Sequence, residues 1–150
     1  MTEEEARAIL VQPKWAEPAE QWQQTPTRPW EQVLSFGVLD GQSRRMRGLH
    51  IEFAVRRPKR LAVPAWKLTS FGPDGFRKQR VYQIDNPGLV GVRPGDHEFP
   101  HEHVLDARQL PDREEWRNIG FPAMREHFCE RCTPVLTGPV SDPQAFQLTQ

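Results

Sequence analysis

The sequence predicts an α+β domain: an antiparallel four-stranded β-meander packed against C-terminal helices, with a Pro/Trp-rich N-terminal arm. Three observations lead there. Leu49, Ile51, Phe53 and Val55 alternate with His50, Glu52 and Ala54, the period of a half-buried strand. Turn signals close successive apolar runs at Asp40-Gly41, Gly72-Pro73-Asp74-Gly75 and Asn86-Pro87-Gly88. Proline makes up 15 of 150 residues and apolar residues 37%, with a mean hydropathy of −0.72. That composition argues for short elements and stiff loops, against a helical bundle and against a membrane protein.

In chain order, Thr2 and Glu5 form a capping box ahead of Ala6, Ala8, Ile9 and Leu10, so a short helix opens the chain. Residues 11–30 hold Pro13, Pro18, Pro26 and Pro29 among Trp15, Trp22 and Trp30. This stretch reads as an arm that docks through its tryptophans, with Pro18 opening a short helix to Gln24. Residues 1–30 are thus helix and docking arm, and residues 31–150 a single α+β domain. Strands are expected at 33–39, 49–55, 65–71 and 80–85, and short turns between them imply an antiparallel meander. An irregular Pro/Gly-rich stretch follows Asp85. A polar helix is expected over Asp112–Asn118, a second over Pro122–Cys132 with Pro122 in its first turn, and a last one from Ser141.

The net charge is zero, but it is segregated. Residues 1–41 carry three Lys/Arg against seven Asp/Glu, residues 42–80 eleven against two, and residues 81–150 six against eleven. The basic middle is either a face for a polyanion or a set of cations paired with the acidic flanks. Arg44, Arg45, Arg56, Arg57, Lys59, Arg60, Arg77 and Lys78 are the candidate nucleic-acid contacts, with Trp66, Phe71 and Phe76 as stacking surfaces or core. The N-terminus MTEEEARAIL has no apolar h-region, and no apolar run approaches the ~20 residues of a membrane span. The expected compartment is the cytoplasm, where Cys129 and Cys132 stay reduced.

The densest chemistry lies in Asp96-His97-Glu98-Phe99-Pro100-His101-Glu102-His103, which holds three of the five histidines. Imidazoles exchange protons or bind metals near neutral pH. His97, His101 and His103 therefore fit acid–base cleavage of RNA, or metal ligation with Asp96, Glu98 or Glu102 as further ligands, or a polar surface loop. His127-Phe128-Cys129-Glu130-Arg131-Cys132 offers either helix core or half of a zinc site. The other half of such a site would be His101 and His103, making zinc a structural cofactor and removing both histidines from acid–base work.

Lys67-Leu68, the Gly-Pro-Asp-Gly turn, Arg80-Val81-Tyr82, Asp85-Asn86 and Gly95-Asp96-His97 with its following histidine pair resemble the TumE-type toxins of bacterial toxin–antitoxin loci. The similarity spans residues 65–103. It implies an antiparallel sheet with helical packing, an RNA-directed toxin, and a cognate antitoxin as partner; Asp85, Asn86, His97 and His103 carry over best. The leading expectation is an endoribonuclease-like toxin with no required cofactor. Its centre would hold His97, His101, His103 and Asp85, with Arg80 or Lys78 stabilising the charged phosphorane. The competing expectations are a non-catalytic interaction or inhibitor protein from a mobile element, anchored by its tryptophans, and a zinc-binding structural module.

Overall fold

The computed structural model describes residues 1–17, 21–57, 64–74, 77–87, 99–117 and 119–136. Its elements are α1 (Glu3–Val11), β1 (Lys14–Ala16), β2 (Gln23–Thr25), β3 (Arg28–Leu39), β4 (Arg45–Arg56), β5 (Ala65–Asp74), β6 (Arg77–Asn86), β7 (His101–Val104), β8 (Ala107–Gln109), a 3-10 turn (Glu114–Trp116), α2 (Phe121–Cys132) and β9 (Pro134–Leu136). The strands form one sheet in the order β8-β7-β6-β5-β4-β3-β1-β9, with β2 also on β3. All pairings among the described residues are antiparallel except β1 with β9. The α+β class holds, and β3 to β6 are the expected meander, but the sheet is wider than four strands.

The added strands correct the sequence reading at several points. In place of a helix reaching Gln24, the arm supplies β1 and β2; Pro18 lies outside the described residues. Of the stretch read as irregular after Asp85, His101–Val104 is strand β7, and residues 88–98 lie outside the described residues. The polar helix expected over Asp112–Asn118 is a 3-10 turn, with only Trp116 of its three residues buried. The helix expected from Ser141 lies outside the described residues.

Alternation divides the sheet into two faces. Leu34, Phe36, Ile51, Phe53, Val55, Trp66, Leu68 and Ile84 point to one side and are buried under Ala6 and Leu10 of α1 and Phe121, Met124, Phe128 and Cys132 of α2. Phe53 is the hub, with rings edge-on to Phe36 at 5.3 Å, Phe121 at 5.8 Å and Phe128 at 5.3 Å. The arm docks here through Trp22, whose ring meets Phe121 edge-on at 5.4 Å, while Trp30 is left exposed. The opposite side is polar. Ser35, Glu52, Thr69, Gln83, His103 and Arg108 form one cross-strand row, and Ala54, Lys67, Asp85 and His101 the next.

Both helices are tied at their ends. The capping box of α1 forms as expected, with Glu5 N–H donating to Thr2 Oγ1 at 3.1 Å and Thr2 N–H to Glu5 Oε2 at 2.7 Å. At its C-terminus the buried Lys14 ammonium donates to the carbonyls of Ile9, Leu10 and Gln12 at 2.7, 3.1 and 3.0 Å. These are the carbonyls a helix end leaves unpaired. The Thr133 hydroxyl, just past α2, donates to Leu10 O at 2.8 Å and so joins the two helix ends.

Replacing Phe53 by alanine removes three ring contacts from the centre of the core. The expected cost is about 3–5 kcal/mol in urea unfolding, with the folded secondary structure retained. A loss under ~1 kcal/mol would mean that the core is not organised around this ring.

Candidate functional site

The pairing of β6 with β7 sets Asp85 opposite His101 and Gln83 opposite His103. On the polar face this brings together three side chains distant in sequence. The ligand atoms of Asp85, His101 and His103 all lie within 4.8 Å of one another, with His101 buried and the other two half-buried. His101 Nδ1 is 2.5 Å from the carbonyl oxygen of Phe99, and its Nε2 is 2.9 Å from His103 Nε2. Because a carbonyl can only accept, His101 carries its proton on Nδ1 and presents a lone pair at Nε2.

The surroundings are cationic but paired. Burial, then Arg80, His101 and Arg108, push the His103 imidazole down to about 4, so it is neutral at pH 7. Lys67, facing Asp85 across β5 and β6, places Nζ 4.0 Å from Asp85 Oδ2. Arg80 donates to Leu105 O at 2.8 Å, to Gln83 Oε1 at 2.8 Å and to Asp106 Oδ1 at 3.1 Å. Arg108 is 2.9 Å from Asp112.

The neighbours of these residues do different work on the other face. Glu102, between the two histidines, is buried, accepts from Tyr82 Oη, is 2.8 Å from Arg113 Nε and 3.1 Å from Arg131 Nε. It is therefore a fastening for α2 and the 3-10 turn, not a ligand beside the histidines. Asn86 likewise turns away from Asp85 and donates to Trp116 O at 2.6 Å. The Phe99 carbonyl that orients His101 and the Lys67 ammonium were missed by sequence reasoning; the register opposite Asp85 was the signal for the second of them.

The four-ligand zinc set does not form. Cys129 and Cys132 lie on α2, on the far side of the sheet from His101 and His103, and Cys132 is fully buried in the apolar core. Burial pushes the Cys129 thiol up to about 11 and the Cys132 thiol well above its ordinary range. Cys132 is a core residue, and Cys129 is half-buried on the same helix. His97, Asp96 and Glu98 lie outside the described residues, as do Lys59 and Arg60.

The basic residues do not gather at one edge. Arg44 and Arg45 sit at one end of the β3–β4 hairpin, while Arg56 and Arg57 sit at the other, about 36 Å away by strand rise. Arg77 and Lys78 open β6, opposite Asp74 and Pro73. Several cations are paired with the acidic flanks: Arg44 with Asp40 at 3.1 Å, Arg45 with Glu17 at 3.5 Å and Arg56 with Glu31 at 2.5 Å. Trp66 is core, stacked on Phe121 at 5.5 Å. None of the helices among the described residues is long and apolar enough to cross a membrane.

Geometry limits the chemistry. In-line phosphodiester displacement needs a base and an acid on opposite sides of phosphorus, and hydrogen bonds of ~2.8 Å to each oxygen put two such nitrogens on the order of 7 Å apart. At 2.9 Å, His101 and His103 act at one atom, not at two ends. No family model, curated protein or solved structure matches this chain.

Two outcomes follow. The unfolded ring of His103 takes a proton near pH 6.5 and the folded ring only near 4, so its contribution to stability is complete above pH 6.5 and falls as the pH drops towards 4. Thermal melts between pH 7 and 4 should show a shallower acid decline for His103→Gln than for the parent; identical declines would refute the shift. Native Cys129 and Cys132 should react with iodoacetamide at pH 7.5 at least tenfold more slowly than in urea, since the thiolate is the nucleophile.

Proposed function

We propose that this chain is a small RNA-directed protein that cleaves phosphodiester bonds, the toxin of a toxin–antitoxin pair. Its centre is the Asp85–His101–His103 cluster. The observation that carries the reading is the convergence of two imidazoles and a carboxylate on the polar sheet face, beside cations that a phosphate can recruit. Lys67 is partly exposed. The Arg80 partner Asp106 is 93% exposed, and such a surface pair contributes only ~0–1 kcal/mol, so a phosphate oxygen can displace it.

In this reading the histidine pair works as one base. It takes the proton of an RNA 2′-hydroxyl, the 2′-oxygen bonds to phosphorus, the bond from phosphorus to the 5′-oxygen breaks, and that oxygen takes a proton from water. Lys67 and Arg80 stabilise the added charge on phosphorus. The toxin role and the antitoxin partner are supported by the resemblance of residues 65–103.

A second reading, the non-catalytic interaction or inhibitor protein, is favoured by one observation: Arg44, Arg45 and Arg56 already hold carboxylates, which lowers their value to a polyanion. One assay separates the two. Purified protein is incubated with labelled single-stranded RNA alongside the double variant His101→Ala/His103→Ala. The first reading expects cleavage that falls by roughly a hundredfold or more in the variant, with circular dichroism unchanged. RNA left intact by the parent protein, together with a stable complex with a co-purified protein, would establish the second.

A further inference from the structure

We infer that Asp85, His101 and His103 hold a single divalent first-row transition-metal ion, in a three-ligand centre with open positions. This deepens the reading above, on which it rests for the use of the ion but not for its binding.

The argument starts from protons. His101 Nδ1 is committed to the Phe99 carbonyl at 2.5 Å, so its Nε2 lone pair faces His103 Nε2 at 2.9 Å. If His103 carries its proton on Nδ1, two lone pairs oppose each other. If it carries it on Nε2, the contact is satisfied, but Nδ1 becomes a buried acceptor, and that atom has no hydrogen-bond partner. Such a group carries a cost in a folded protein. A cation between the two Nε2 atoms uses both lone pairs with the His103 proton on Nδ1, so the Nε2 contact no longer needs one ring to donate to the other.

The spacing agrees. Two imidazole nitrogens bound ~2.1 Å from one ion are about 3.0 Å apart at an octahedral right angle and about 3.4 Å apart at a tetrahedral angle, and the 2.9 Å seen here is nearest the right angle. Asp85 is within 4.8 Å and supplies the negative charge. A ring nitrogen donating to a main-chain carbonyl is also how proteins orient metal-binding histidines. Arg80 and Arg108 oppose a dication, but each is within ion-pair distance of its own carboxylate, Asp106 and Asp112. Two nitrogens and one carboxylate select zinc, iron, cobalt, nickel or manganese over magnesium or calcium, which prefer all-oxygen shells. Imidazoles that ligate through Nε2 have no lone pair left for the 2′-hydroxyl proton, so with the ion bound the base role passes from the histidine pair to water, and the ion would supply a Lewis acid at the phosphate.

The test uses the full chain, stripped with chelator and dialysed against Zn(II), Co(II) or Mg(II). One Zn(II) or Co(II) per chain is expected, no Mg(II), and a Co(II) spectrum without thiolate charge-transfer bands. His103→Gln and Asp85→Asn, both at half-buried positions, should each weaken Co(II) binding roughly a hundredfold with circular dichroism unchanged. Cys129→Ala should bind as the parent does. No ion retained by the folded parent, equal uptake of Mg(II), or binding lost only in Cys129→Ala overturns the inference. RNA incubated with the same samples keeps the two readings apart. A bound ion with intact RNA upholds the metal centre and removes the nuclease, whereas RNA cleavage by protein that takes up no ion does the reverse.

Discussion

The register between β6 and β7 is the constraint on which both the core and the candidate site depend. With Asp85 opposite His101 and Gln83 opposite His103, the pair of strands sends Tyr82, Ile84, Glu102 and Val104 to the helices and Asp85, His101 and His103 to the polar face. A slip of one residue in either strand would exchange its faces. Two fastenings resist that slip. Glu102 is held between Arg113 of the following turn and Arg131 of α2, and Asn86 at the end of β6 is bonded to the Trp116 carbonyl.

The charge segregation has a structural outcome that its totals hide. Cations of the basic middle reach back to Glu17, Glu31 and Asp40 in the first segment and forward to Asp85 and Asp106 in the last. Apart from the local Arg44–Asp40 pair, these bring together segments distant in the chain, because antiparallel strands place sequence-distant residues side by side. Exposed pairs add little stability. Any polyanion must therefore exchange with carboxylates already in place, and the pairs at high exposure, such as Arg80 with Asp106, are the ones that yield.

The meander was legible because its signals are local. Leu49 to Val55 alternate over a full strand, and each long strand ends at a glycine- or proline-bearing turn. The capping box at Thr2 and the proline in the first turn of α2 are equally local, and both formed. What was not legible depends on pairing at a distance. Strand β1 is three residues long and lies parallel to β9, Trp15 beside Val135, a contact that no window of sequence contains. Strand β7 has two histidines and a glutamate among its four residues, poor strand formers whose conformation comes from pairing with β6. The histidines were visible as composition and Asp85 came with the family resemblance, but their convergence was not visible, because it depends on the register of β6 with β7. Alternation assigns Asp85 and not Asn86 to the site, and the same rule moves Glu102 out of it and leaves Cys129 and Cys132 behind the sheet.

The fastening at Glu102 also indicates what kind of energy positions the site. A buried carboxylate between two guanidiniums and a phenol regains in Coulomb attraction roughly what it loses in desolvation, so such clusters contribute little net stability compared with an apolar replacement. Their effect is on alternatives. An apolar residue at 102 would tolerate several packings of β7 against α2, whereas the carboxylate is satisfied only where Tyr82, Arg113 and Arg131 meet it. The two histidines flank that residue directly, so their side chains inherit its position. In this protein the apolar core at Phe53 supplies the stability of the sheet, and the buried charge at Glu102 fixes where the imidazoles stand.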